Sequence, residues 1–145
     1  MKRRVCALDI GDVRVGLALP DELGMFAHAR EFLDAKPVEA LVAALKALVR
    51  EESIECFIVG LPLDMRGHEG EACKKVRIVA QKISDGTGVD IELWDERLTS
   101  TQAHRELQAS GRNSKARRTR VDSVAAVKIL EAWMSQQGGA SEYDD

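Results

Sequence analysis

The sequence predicts an α/β fold. It should be a mixed five-stranded sheet, with three antiparallel N-terminal strands, then two parallel strands, and helices on both faces. Three observations lead there. Residues 4–10 and 13–19 alternate apolar and polar around Gly11-Asp12, the pattern of a tight hairpin. Beyond residue 37, helical periodicity alternates with apolar runs of strand length. One of these runs, "IECFIVGLP", is apolar almost throughout, as in a strand covered on both sides.

The elements follow in order. Gly11-Asp12 suits a two-residue turn, with glycine at the position that needs positive φ. In the second strand Val13, Val15, Leu17 and Leu19 share one face, and Arg14, Gly16 and Ala18 the other. Residues 28–33 are read as a third strand. Residues 37–51 form a helix with Pro37 in its first turn and Val38, Leu41, Val42, Leu45, Leu48 and Val49 on one face. A loop containing Gly60, Pro62, Gly67 and Gly70 follows the apolar run. Ala72, Val76, Val79, Ala80 and Ile83 mark a second helix, ended by "SDGTG". "VDIELW" is a strand. Thr99 with Gln102 reads as the capping box of a short helix to about Gln108. Residues 110–118 form a polar basic loop, and residues 120–135 a last, apolar helix.

The chain has 145 residues, room for one core, and residues 1–135 are read as a single domain. Residues 136–145 are expected to be a disordered acidic tail. The net charge of −3 does not announce a polyanion partner, but "RNSKARRTR" holds five basic residues and no acid. Cys6, Cys56 and Cys73 form no CxxC pair and read as buried thiols of a reducing cytosol. No segment reads as a signal peptide or a membrane span, so a cytoplasmic protein is expected. His28, His68 and His104 lack zinc-ligand spacing. Trp94 and Trp133 read as packing residues.

Three acidic positions stand out. Asp9 lies inside the first apolar strand, on the face of Val5 and Ala7. Asp95 and Glu96 close the strand "VDIELW", and Asp122 opens the last helix. A lone buried carboxylate prefers to be neutral, and a gathering of them needs a cation. Magnesium fits such an oxygen site, and two such ions support phosphodiester hydrolysis. Each acid also has a purely structural reading: a cap for Asp122, a turn for Asp95, an ion pair with Arg97 for Glu96, and hairpin N–H groups for Asp9. Alternation puts Asp95 with Leu93 and Glu96 with Trp94. Strand ends break alternation easily, so the pattern leaves open which of the two faces Asp9.

Four stretches, "LDIGDVRVGLALPD", "VGLPLDMRGHEG", "DERLTS" and "RVDSVAAVKILEAW", occur in the order seen in the YqgF/RuvX family, which the chain resembles from about Arg4 to Trp133. Members are named as Holliday junction resolvases or as nucleases that mature the 5′ end of pre-16S rRNA. The resemblance implies a ribonuclease H-like fold akin to RuvC. It also implies a metal-dependent nuclease using Mg2+ or Mn2+, with Asp9, Glu96 and Asp122 as catalytic acids and metal ligands and Asp95 as an alternative ligand. The chain departs from the family pattern at Val13, Pro20, Asp64, Arg66 and His68. None of these is a proposed ligand.

Basic residues are expected to contact nucleic acid, either pre-16S rRNA or branched DNA, without reading its sequence. They are Arg14, Arg97, Arg112, Lys115, Arg117, Arg118 and Arg120, and their bland alternative is a set of surface ion pairs and a solvated loop. Junction cleavage favours a dimer and RNA trimming allows a monomer, so the sequence leaves monomer or homodimer open. Two other functions compete. "DIGDVRVG" also resembles the phosphate loop of actin-like sugar kinases, although the chain has length for only one such lobe. A binding factor that does not cut RNA is the third reading.

Overall fold

The computed structural model describes residues 4–98 and 124–137. Five strands, β1 (Val5–Ile10), β2 (Arg14–Pro20), β3 (Ala27–Asp34), β4 (Cys56–Leu61) and β5 (Asp90–Asp95), form one sheet in the order β3-β2-β1-β4-β5. β2 is antiparallel to β1 and to β3, whereas β4 is parallel to β1 and to β5. Helix α1 (Val38–Glu52) links β3 to β4, and α2 (Glu71–Thr87) links β4 to β5. Residues 124–137 form a further helix, α3. The mixed sheet is the one predicted from the sequence pattern.

Alternation assigns the two faces of β1. Cys6 and Leu8 pack with Leu41 and Leu45 of α1 and Val76, Ala80 and Ile83 of α2. Val5 and Ala7 pack with Ile58, Trp94, and Ala126, Ile129, Leu130 and Trp133 of α3. β1 and β4 are therefore apolar on both sides, as expected of strands sandwiched between helix layers. Asp9 continues the Val5 and Ala7 series, so it belongs to the α3 face. Both tryptophans and all three cysteines are buried, as read from the sequence.

Three local readings are corrected. The β1–β2 connection has three residues, Gly11 to Val13, with Ile10 opposite Val15. Gly11 is not at positive φ. It is needed because a β-carbon there would lie 2.8 Å from the Arg14 carbonyl oxygen, which accepts the Gly11 N–H at 2.9 Å. Gly60 is not in a loop: it is a buried member of β4, opposite Trp94 of β5. α2 runs through Gly86, which packs against Val42 of α1, and stops only at Gly88, whose φ of 74° ends the helix. Residues 136 and 137, expected to begin the disordered tail, instead continue α3. The expected helix to Gln108 and the rest of the tail lie outside the described residues. No described helix is long and apolar enough to cross a membrane.

Candidate active site

The carboxyl ends of β1, β4 and β5 meet at one edge of the sheet, where ligand sites of open α/β sheets gather. Asp9 stands there on β1, half-buried, with Gly16 of β2 directly opposite. On its other side the register Leu8↔Val59 brings Gly60 of β4 next in line. A glycine therefore lies on each side of Asp9, and neither carries a side chain that could fill the space around the carboxylate.

Glu96 supplies the second carboxylate. β5 ends at Asp95 and turns into a single 3-10 turn, Glu96–Leu98. That turn carries Glu96 back over the sheet. It is 3% exposed and is the only buried charged residue among those described. A β-carbon on Gly60 would lie 2.8 Å from Glu96 Oε1 and 2.6 Å from Ile129 Cδ1. Glu96 thus lies over Gly60, on the α3 face, beside the strand that bears Asp9. Burial, and secondarily the neighbouring Asp95 charge, pushes its carboxyl up to about 7.

Asp95 is engaged elsewhere. It accepts the Arg97 backbone N–H at 2.9 Å and Arg97 Nη2 at 2.7 Å, with Nε at 3.1 Å from both carboxylate oxygens. This side-chain pair, then the backbone bond, holds the Asp95 carboxyl below its ordinary value. The geometry separates the two acids that alternation left open: Asp95 binds Arg97, and Glu96 shares the face of Asp9.

Arg97 also joins the β5 end to the β4–α2 loop. Its guanidinium lies against Gly67, where a β-carbon would be 3.2 Å from both Nη atoms and where φ is +84°. Asp64 closes that loop by accepting the N–H groups of Arg66 and His68 at 2.9 and 2.8 Å. Arg14, on the Asp9 face of β2, stacks its guanidinium 4.6 Å above the Phe32 ring.

Asp122 and the basic residues Arg112, Lys115, Arg117, Arg118 and Arg120 lie outside the described residues. Ile129 meets Gly60 near the end of β4, while Trp133 Nε1 donates to Glu92 Oε2 at 2.9 Å, nearer the start of β5. α3 therefore runs antiparallel to β4 and β5, with its N-terminal end toward the carboxylates. Among the described residues no three His, Cys, Asp or Glu side chains group as a metal site. Asp9 and Glu96 are two hard oxygen donors, the chemistry magnesium and manganese prefer.

Sequence reasoning missed Gly60 and Gly16 as parts of the site. The available signal was a glycine inside an apolar strand run, which marks close approach of another group.

A central strand ending in a carboxylate, inside a 3-2-1-4-5 mixed sheet, defines the ribonuclease H-like class. The structure superimposes on Thermus thermophilus RuvC in complex with a Holliday junction substrate with a TM-score of 0.58 and 17% identity, covering 94% of this chain and 97% of that chain. A second RuvC structure from Thermus thermophilus gives a TM-score of 0.52 at 15% identity, over 93% of this chain and 96% of that one. Residues 3–136 match the family described as "RuvX: Holliday junction resolvase", and the chain belongs to that family. A relative from Anaeromyxobacter sp. (strain Fw109-5) is 37% identical over 90% of this chain and 96% of its own length. Another, from Koribacter versatilis (strain Ellin345), is 36% identical over 93% and 88%. Both carry the name "Putative pre-16S rRNA nuclease".

Proposed function

We propose that this protein is a metal-dependent nuclease that hydrolyses phosphodiester bonds, with the 5′ end of pre-16S rRNA as its substrate. The observation that carries the reading is the approach of the buried Glu96 carboxylate across Gly60 to the face that presents Asp9. It occurs in a chain whose relatives bear a nuclease name.

Asp9 and Glu96 are the proposed ligands of Mg2+ or Mn2+, with Asp122 as the third acid. Divalent ions held there would supply water activation and charge neutralisation at the leaving oxygen. The chain's own contribution is positional. Asp9 is fixed by a central strand paired on both sides, and Glu96 by burial between β4 and α3. Burial disfavours the ionised form of Glu96, and a neighbouring cation favours it. Asp95 is committed to Arg97 and is not proposed as a ligand. Arg14 and the basic stretch from Arg112 to Arg120 are proposed to meet backbone phosphates, with Arg97 at the rim. Pre-rRNA as substrate implies a cytoplasmic site of action.

The family description favours a second substrate, four-way DNA. Purified protein offered a pre-16S 5′-leader RNA and a four-way junction, with magnesium or manganese, distinguishes the two. Cleavage of the RNA, absent in Asp9→Asn and without metal, supports the proposal. Cleavage of the junction alone transfers it to DNA. If neither is cut by folded protein with metal present, hydrolysis is not this chain's own activity.

A further inference from the structure

Asp9 faces α3, but Ile10, its neighbour along the strand, faces the other way. It forms the wall of a groove of about 540 Å³ between the β1–β2 turn, the start of α1 and α2. The floor is apolar: Val38, Pro62, Val76 and Val79 line it with Ile10. Two lysines, Lys36 and Lys75, stand on its rim. The one acid among its lining residues, Asp12, lies 3.9 Å from Lys75 Nζ, and both side chains are largely exposed. That contact is a weak surface pair that a stronger anion can replace.

We infer that this groove holds a nucleotide adjacent to the scissile phosphate, its base on the apolar floor and its phosphate between Lys36 and Lys75. The inference rests on the nuclease reading and extends it to a strand path. Consecutive Cα atoms lie about 3.8 Å apart, so Asp9 and the groove wall are separated only by the crest of the sheet edge. A single strand crossing that crest meets the carboxylates on one side and the groove on the other. The volume lies within the range of small-molecule sites. The lining is aliphatic, so a base would be held there by burial against Ile10, Val38, Pro62, Val76 and Val79 rather than by aromatic stacking, with the lysines neutralising phosphate without reading sequence. A duplex could not enter such a groove, so the flanking substrate would be single-stranded there.

The test is binding of a fluorescein-labelled single-stranded oligoribonucleotide to the full chain in EDTA, followed by anisotropy across a salt series. Binding is read without cleavage, so this result and that of the nuclease assay are independent. The Lys36→Ala/Lys75→Ala double variant is expected to weaken binding. Its slope of log K against log salt should be shallower by about 0.7 per lost phosphate contact. Ala72→Glu, which puts an acid on the groove lining one helical turn from Lys75 and keeps both lysines, should also weaken binding. Lys46→Ala/Lys82→Ala, which removes two exposed lysines outside the groove, should keep the slope. A double variant that binds with the wild-type constant and slope would overturn the inference, as would a wild type that fails to bind at low salt. Equal loss for a hairpin duplex probe, which cannot enter the groove, would also overturn it.

Discussion

Glu96 Oε1 occupies space that a side chain on Gly60 would contest: a β-carbon on Gly60 would stand 2.8 Å from it. The same β-carbon would press on Ile129 Cδ1. Gly60→Ala should therefore move either the carboxylate or α3. The expected loss is about 1–3 kcal/mol of stability, as for overpacked cores. Cleavage should fall by roughly a hundredfold, as for displacement of a reacting group by about 1 Å. Chemical denaturation and single-turnover cleavage measure the two effects. A Gly60→Ala protein with wild-type rate would show that Glu96 does not need its present seat.

Burial pushes Glu96 up to about 7 from an ordinary 4.5. Between these values the folded protein holds a proton that the unfolded chain has released. Metal-free stability should thus fall as pH rises through this window, by an amount on the order of 3 kcal/mol. Glu96→Gln removes this contribution and should make the metal-free protein relatively more stable at about pH 8 than at about pH 5. Urea melts of both proteins at the two pH values provide the check. Parallel curves would mean that Glu96 is not held protonated.

The two adjacent acids should behave differently. Asp95 is bonded to Arg97, and Asp95→Asn should change the cleavage rate by less than about tenfold. Glu96→Gln should lower it by more than roughly 10³-fold, as when one member of a catalytic unit is lost. The reverse order of effects would make Asp95 the ligand.

Far from the carboxylates, Trp133 Nε1 donates to Glu92 Oε2 at 2.9 Å and ties α3 to β5. Trp133→Phe should cost about 1–2 kcal/mol in thermal or urea unfolding. Its cleavage rate well below the melting temperature should be unchanged. A loss of rate with little loss of stability would give this contact a role in aligning α3.

Much of this arrangement was legible in the chain. Period-two and helical spacing gave the strands, the two crossover helices and the mixed sheet, because burial on one face imposes those periods. Asp9 was conspicuous because a charge breaks an otherwise apolar series. The pattern also put Glu96 with Trp94, and the structure keeps that parity through the 3-10 turn. What spacing could not give was depth. Gly60 followed by Leu61 and Pro62 reads as the start of a loop, whereas its meaning comes from Glu96 and Ile129, which reach it from distant parts of the chain. The Asp95–Arg97 bond was equally hidden, since spacing alone does not fix how residues two apart meet where a strand gives way to a turn. The role of Gly11 was misjudged because a close carbonyl and a positive φ leave the same residue in the sequence.

The central claim is that Asp9 and Glu96 act together on one phosphodiester bond. Single-turnover cleavage by Asp9→Asn, Glu96→Gln and the double variant, with saturating magnesium, tests it most directly. Residues acting as a unit are strongly non-additive, so each single variant should lose nearly as much rate as the pair. Either single variant cleaving within about tenfold of wild type, or losses that multiply in the double variant, would contradict a shared site.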